Sequence, residues 1–255
     1  MVVQNKFGFR KAFVPNDTEL AMRVALERRK YGRIIVMSLE PLTLPGFKIE
    51  TTSTTGLISL EPDYESVFAR FHKTVRKQIA RTYRDPGLTF TISKSVTDDG
   101  YALLEGFMEA RGMAMFPRST YAGCVEFLAY ADEKPVSGVI LYPSSPVPMT
   151  ATFFSKRLIT NDSKEYRRIG NASKRLIAEV CSWGIGHGMK AIDIGSLNPD
   201  SQSIPGITEY KLSFAPNVVP QYVYTYRSPL FRVGERMMFV FRTFQKKFLS
   251  RTSRI

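Results

Sequence analysis

The most informative stretch of this 255-residue chain runs from Ala191 to Pro216 and reads AIDIGSLNPDSQSIPGITEYKLSFAP. It opens with a short apolar strand that ends at Gly195, and a polar loop that contains Asn198 follows. The segment Gly206–Phe214 then carries a Tyr-Lys pair before a phenylalanine. This order of strand, polar loop and aromatic–lysine pair is more specific than any other pattern in the sequence.

The sequence before this stretch predicts three antiparallel strands and a helix. The strands are expected over Cys124–Tyr130, Val136–Tyr142 and Val147–Ser155, and their connectors are rich in turn-forming residues. A helix is predicted from Ile169 to His187, closed by Gly188. A helix that feeds the strand at Ala191 completes a mixed α/β arrangement with an antiparallel meander at its centre.

Further elements flank this core. In chain order we expect a helix over Asn16–Gly32 capped by Asn16, a strand over Arg33–Met37, an extended segment over Phe47–Leu60, an amphipathic helix from Pro62 to about Arg84, a strand over Leu88–Ile92, a helix opening at Thr97, a late strand over Gln221–Tyr226 and a final helix from Pro229. Residues 1–45 are predicted to form an additional layer packed on a main domain of residues 46–255.

Composition excludes several classes of protein. A length of 255 residues suits one large domain or two small ones, and no span approaches the roughly 20 apolar residues of a bilayer crossing. Cys124 and Cys181 are too few for a disulfide framework, and His72 and His187 lie in no ligand motif. We therefore expect no metal site, and the absence of a signal-peptide pattern favours a reducing, cytoplasmic setting.

The net charge of +13 indicates anionic partners. RNA, a phosphorylated substrate and an acidic membrane face all fit such a charge. The segment Leu230–Ile255 is amphipathic and basic, so it is a candidate for peripheral membrane contact. Packing of its apolar stripe on the core is the favoured alternative.

A candidate phosphate site precedes the helix predicted at Ile169. Backbone N–H groups at a helix N-terminus attract phosphate, and a glycine permits close approach. The residues concerned are Arg167, Arg168, Gly170, Asn171 and Ala172.

Two patterns, Arg167–Ala172 and the Asp193 strand followed by Tyr210-Lys211, resemble the GNAT acyltransferase superfamily, and most closely its FemAB-like branch. The resemblance implies a single GNAT-like α/β domain that transfers an acyl or aminoacyl group to an amine. It also covers the basic helix around Arg76. The family usually has Phe-Lys where this chain has Tyr210-Lys211, and Phe-Gly where it has Phe214-Ala215.

Roles for single residues follow from this resemblance. Lys211 would stabilise the charge of the tetrahedral intermediate, and Tyr210 would act as an acid or as a wall of the site. Separately from the resemblance, strand alternation turns Asp193 away from the face of its apolar neighbours, where it could orient Lys211 or the amine. Glu126 and Glu209 are rivals for the general base, and a water could serve instead. Arg76, Asn198 and Glu209 would bind substrate.

The donor and the acceptor stay open at this point. The Arg167–Ala172 pattern favours coenzyme A or another thioester, whereas the Tyr210-Lys211 pair and the positive charge favour aminoacyl-tRNA, as in peptidoglycan bridge formation. The alternative from another class is a non-catalytic basic module of the same fold that binds RNA or a membrane.

Overall fold

The structure is a computed structural model, and it describes residues 1–6, 8–197 and 206–237. The strands are β1 (Val2–Lys6), β2 (Phe9–Pro15), β3 (Arg33–Ser38), β4 (Lys48–Ser59), β5 (Leu88–Ser93), β6 (Val125–Ala131), β7 (Lys134–Tyr142), β8 (Met149–Ser155), β9 (Ala191–Ser196) and β10 (Asn217–Arg227). The α-helices with defined ends are α1 (Thr18–Leu26), α2 (Tyr64–Arg70), α3 (Lys73–Thr82), α4 (Asp98–Ala110), α5 (Ser163–Gly186) and α6 (Ile207–Leu212). Residues 229–237 are also helical.

All these strands join one sheet in the order β1-β2-β3-β10-β4-β9-β8-β7-β6-β5. Strands β5 to β8 pair antiparallel in sequence order, which confirms the predicted meander. Strands β8 and β9 run parallel and pair only at Met149 and Asp193. The sheet is therefore split between β8 and β9 beyond that pair.

Helices cover both faces of the meander. Because side chains alternate along a strand, Phe127 and Leu128 of β6 point to opposite faces. Phe127 belongs to the core beneath α2, α3 and α5, and Leu128 to the core beneath α4. The first core also contains Ile192 of β9, so α5 packs across the split in the sheet.

The N-terminal residues extend the same sheet. Strand β3 pairs with β10, and β1 and β2 continue the sheet outward. Helix α1 packs on these strands in a separate cluster that includes Val14, Val24 and Val36. The boundary at residue 45 stays a prediction.

The first predicted helix is wrong at its N-terminus. Asp17, not Asn16, caps α1, because the Asp17 carboxylate accepts the Leu20 N–H at 2.9 Å. Asn16 adopts a positive φ of 46°, and its side chain turns into the protein. The helix also ends earlier than predicted, with a 3₁₀ turn over Arg28–Lys30.

The amphipathic helix predicted from Pro62 to Arg84 is two helices, α2 and α3. Phe71 separates them in an extended conformation and packs its ring 5.2 Å from that of Phe214. The next residue, His72, donates its N–H to the Ser213 carbonyl at 2.9 Å. Tertiary packing therefore breaks a stretch that contains no glycine or proline between residues 64 and 85.

Candidate active site

The split between β8 and β9 opens into a groove. One cavity of about 410 Å³ lies there, lined by Thr150 and Thr152 of β8, Ile194 of β9 and Lys211 of α6. A second cavity of about 450 Å³ is lined by residues that include Arg157 and Tyr210. Both cavities share Phe107, Arg111, Phe153 and Ile207, so they form one continuous groove.

Lys211 presents a buried amine to this groove. Its side chain lies in the last turn of α6 and is only 8% exposed. Its Nζ donates to the Ser196 carbonyl at 2.9 Å. Burial lowers the pKa of Lys211 to about 8, and the Asp193 carboxylate acts in the opposite direction. The expectation that Lys211 belongs to a catalytic site is compatible with this placement, and a solvated surface lysine is not.

The lowered pKa makes the contribution of Lys211 to stability depend on pH. The folded pKa of about 8 lies below the ordinary value of 10.5, so between them the unfolded chain binds a proton that the folded chain releases. Stability of the wild type should therefore rise relative to Lys211→Met as the pH rises through this window. Denaturant midpoints of both proteins, measured at about pH 7, 9 and 10, test this difference. Parallel pH curves would contradict it.

Asp193 lies at the base of the groove with both carboxylate oxygens occupied. One oxygen accepts the Thr55 hydroxyl and the Gly195 N–H, and the other accepts the Asn16 and Gln221 side-chain amides at 2.7 and 3.1 Å. The residue is fully buried. Burial raises the pKa of Asp193, while the hydrogen bonds from Thr55, Asn16 and Gly195 and the Lys211 ammonium oppose that rise. Because no lone pair is free for a substrate, Asp193 is placed as a positioning residue rather than a general base.

Gly195 lets the chain pass beneath the lysine. Its φ of +80° lies in the left-handed region, and its N–H donates to Asp193 at 2.8 Å. A Cβ atom at this position would lie 3.3 Å from Nζ of Lys211. The glycine that ends the predicted strand thus leaves room for the ammonium group, which a side chain at this position would crowd.

Tyr210 forms part of the groove wall. Its hydroxyl donates to the Ser173 carbonyl of α5 at 3.0 Å, and its ring packs edge-on against Phe214 at 5.2 Å. Burial raises the pKa of Tyr210 above its usual range. A phenol that already donates a hydrogen bond and has a raised pKa is poorly suited to protonate a leaving group. The geometry therefore favours Tyr210 as a wall of the site and not as a general acid.

The prediction that Arg167–Ala172 forms a phosphate-binding loop is wrong, because these residues lie within helix α5. Helix α5 begins at Ser163, where the Asp162 carboxylate accepts the Lys164 and Glu165 N–H groups. Gly170 and Ala172 are therefore buried residues of the helix interior, and Asn171 lies between them. Only the first four N–H groups of a helix lack intrahelical partners, so none near Gly170 or Asn171 is free for a phosphate.

Arg167 and Arg168 do not form the predicted phosphate site either, because both side chains contact protein groups outside the groove. Arg168 pairs with Asp85 at 2.8 Å and with Asp132, which raises the pKa of the guanidinium and ties α5 to two neighbouring turns. Arg167 is exposed, and its Nε donates to the Ser163 carbonyl of its own helix. Neither residue lines the groove cavities.

Other cations, which sequence reasoning missed, surround the groove. Arg157 lies in a 3₁₀ turn after β8, with its guanidinium 4.0 Å from the Tyr166 ring centroid. Its Nε is buried without a hydrogen-bond partner within the described residues. Lys174 lies 6.0 Å from the Tyr210 ring centroid, and burial lowers its pKa, with Arg157 contributing. Spacing in the sequence gives no signal for this cluster, because its members come from separate elements.

The structure does not bring the other predicted site residues into the groove. Arg76 is a half-buried residue of α3 and lines neither groove cavity. Glu209 is exposed on α6 and also lines neither cavity. Glu126 is buried and accepts the Thr97 N–H and hydroxyl, so it supports the start of α4. Asn198 lies outside the described residues.

Residues 1–6, 8–197 and 206–237 show neither a metal-binding cluster nor a membrane-spanning helix. No group of three His, Cys, Asp or Glu side chains there is arranged to hold a metal ion. No helix within those ranges combines the length and apolar character that crossing a bilayer requires.

Comparison with known proteins gives matches in structure but none in sequence. No family model and no curated protein sequence matches the chain. FemX superposes with a TM-score of 0.59 at 10% identity, over 91% of this chain and 85% of that one. A second match is the C-terminal domain of a protein from Agrobacterium fabrum that is named as a lysylphosphatidylglycerol synthetase. It gives a TM-score of 0.56 at 14% identity, over 93% of this chain and 84% of that one. L-PGS from Bacillus licheniformis gives a TM-score of 0.50 at 16% identity, over 86% of this chain and 74% of that one. These likenesses confirm the expected GNAT/FemAB-like α/β fold.

Proposed function

We propose that the chain transfers an acyl or aminoacyl group from a thioester or aminoacyl-tRNA donor to an amine. The observation that carries this proposal is the buried amine of Lys211 in the groove where the sheet splits. A largely buried ammonium group beside a cavity of about 410 Å³ is a pre-organised stabiliser for charge that develops on a bound carbonyl oxygen. The shared fold with FemX and the synthetase domains is compatible with this chemistry.

The proposed reaction assigns distinct tasks to the residues of the groove. A neutral acceptor amine attacks the donor carbonyl, the carbonyl π electrons move to oxygen, and the Lys211 ammonium stabilises the resulting oxyanion. Collapse of this intermediate expels the donor thiolate or ribose oxygen, and the proton lost by the amine passes to that leaving group through water. The Ser196 carbonyl holds the Lys211 ammonium, Asp193 fixes the backbone at Gly195 next to it, and Tyr210 forms the wall. Attack of this kind depends on positioning more than on a strong base.

The cations around the groove favour a phosphate-bearing donor. Arg111 lines both cavities and Arg157 lines one, and no carboxylate lies within ion-pair distance of either among the described residues. Cations without carboxylate partners in a partly buried groove attract a polyanion. Both coenzyme A and tRNA carry such phosphates. The proposed phosphate contacts are therefore Arg157 and Arg111, and not the backbone at Gly170.

Arg157→Gln is expected to weaken donor binding about tenfold, because a charge-assisted contact to phosphate is lost. The matched control is Arg167→Gln, which removes an exposed guanidinium that lines neither groove cavity and should leave affinity unchanged. Isothermal titration with coenzyme A and with tRNA measures both. Equal affinities for the two variants would contradict the assignment.

Gly170→Asp gives a second test of the same contact. A Cβ atom at Gly170 would lie 3.5 Å from the guanidinium carbon of Arg157, so a carboxylate there should neutralise that cation. We expect weaker donor binding from Gly170→Asp than from Gly170→Ala, which adds only a methyl group at an ordinary contact distance.

The activity itself is tested by incubating the chain with acyl-coenzyme A and aminoacyl-tRNA donors and a panel of amines, including peptidoglycan precursors. Mass spectrometry of the acceptors detects transfer. Acceptors of the cell wall or envelope are included because of the FemAB-like resemblance. Tight binding of a polyanion without turnover by any donor would support the non-catalytic basic module instead.

A further inference from the structure

The helix over residues 229–237 turns an apolar stripe to solvent. Phe231 is 6% exposed and packs edge-on against Phe9 at 5.3 Å, so this side of the helix faces the protein. Leu230, Val233 and Met237 are 75%, 55% and 69% exposed. Positions separated by three and seven residues share one face of a helix. The favoured sequence interpretation, in which this stripe packs on the core, is therefore wrong for these three residues.

A basic cavity of about 740 Å³ lies beside the same helix. It is lined by Lys48, Arg227, Arg232, Arg236, Glu50 and Glu235, among others. Both carboxylates lie close to Arg227, at 2.8 and 3.8 Å. In the described part of the chain no carboxylate lies within ion-pair distance of the other three cations.

We propose that this C-terminal face, formed by Lys48, Leu230, Arg232, Val233, Arg236 and Met237, docks on an anionic phospholipid bilayer. The apolar stripe would enter the interface, and the cations would meet lipid phosphates. Interfacial helices combine these two features, since apolar burial and attraction to anionic lipid add. The sequence of residues 238–255 continues the charge, with five Lys or Arg and no Asp or Glu.

An exposed apolar stripe distinguishes a bilayer from RNA as the partner. Nucleic acid would be held mainly through its phosphates, and three solvent-facing aliphatic side chains would contribute little to that contact. A bilayer uses both the cations and the stripe. The proposal does not depend on acyl transfer, because it concerns binding alone.

The test is co-sedimentation of the full chain with vesicles of mixed phosphatidylglycerol and phosphatidylcholine, and with vesicles of phosphatidylcholine alone. The wild type should bind the anionic vesicles and should not bind the neutral ones. About 0.5 M salt should release it from the anionic vesicles. The variant Leu230→Ser/Val233→Ser/Met237→Ser should bind at least about tenfold less. Arg232→Gln/Arg236→Gln should bind about 20-fold less.

The matched control is Ile92→Ser/Val218→Ser, which removes two apolar side chains that are 51% and 55% exposed elsewhere on the sheet. It should bind as the wild type does, and circular dichroism should show that every variant is folded. Undiminished binding by the triple serine variant would overturn the proposal. So would tighter binding to oligouridylate than to vesicles, or a wild-type dimer that the triple variant converts to a monomer without any vesicle binding.

Discussion

Replacing Lys211 with methionine is expected to lower the single-turnover rate of acyl transfer about 100- to 1000-fold. The methionine keeps most of the buried stem and removes only the ammonium, so packing beside Phe153 should survive. A charge used in the transition state affects turnover more than binding, and donor affinity should change by less than about threefold. Rapid-quench measurement of product and separate titration of the donor give the two quantities.

Lys77→Met is the matched control for this change. Lys77 is exposed on α3 and lines neither groove cavity, so its loss should leave turnover unchanged. A folded Lys211→Met protein with near-normal turnover would remove the catalytic role of Lys211. Reduced donor affinity with an unchanged rate would instead show that the lysine binds the ground state.

Replacing Asp193 with alanine is expected to lower the free energy of unfolding by about 3–5 kcal/mol. The change leaves the side chains of Asn16, Thr55 and Gln221 buried without their acceptor, and it leaves Lys211 without the nearby negative charge. Each unsatisfied buried donor costs about 1–3 kcal/mol, and the effects are not additive. Urea denaturation followed by circular dichroism measures the loss.

Asp162→Ala is the control for loss of an aspartate that also accepts backbone hydrogen bonds. This exposed residue caps α5, so its removal should cost about 1 kcal/mol. Equal losses for the two variants would contradict the view that Asp193 joins several segments beneath the groove.

The meander and the α/β character could be predicted because they rest on local patterns. Alternation and turn residues predict both ends of β6, β7 and β8 to within two residues. The sequence prediction starts α5 at Ile169 instead of Ser163, because it treats Arg167–Ala172 as a loop. Asp162 followed by Glu165 is nevertheless a recognisable capping pattern. The break at Phe71 depends on contacts with Ser213 and Phe214, which no local pattern contains.

The site shows the same division. The sequence identifies Lys211, Tyr210 and Asp193 through one short stretch, and the structure brings all three to the groove or its base. It does not identify Asn16 and Thr55 as partners of Asp193, because they are 177 and 138 residues away in the chain. Contacts of such long range follow from strand order, and periodicity within a segment carries no information about that order.

The split between β8 and β9 also bears on how the chain avoids unwanted association. A strand edge without a partner normally invites pairing with another chain and so promotes aggregation. Here the single pair at Met149 and Asp193 leaves two such edges, but both belong to central strands of one sheet and face the same groove. Helix α5 packs across one side of the gap. The unpaired backbone groups of β8 and β9 thus stay accessible to a small ligand in the groove, whereas a strand of a second molecule has no room to pair with them.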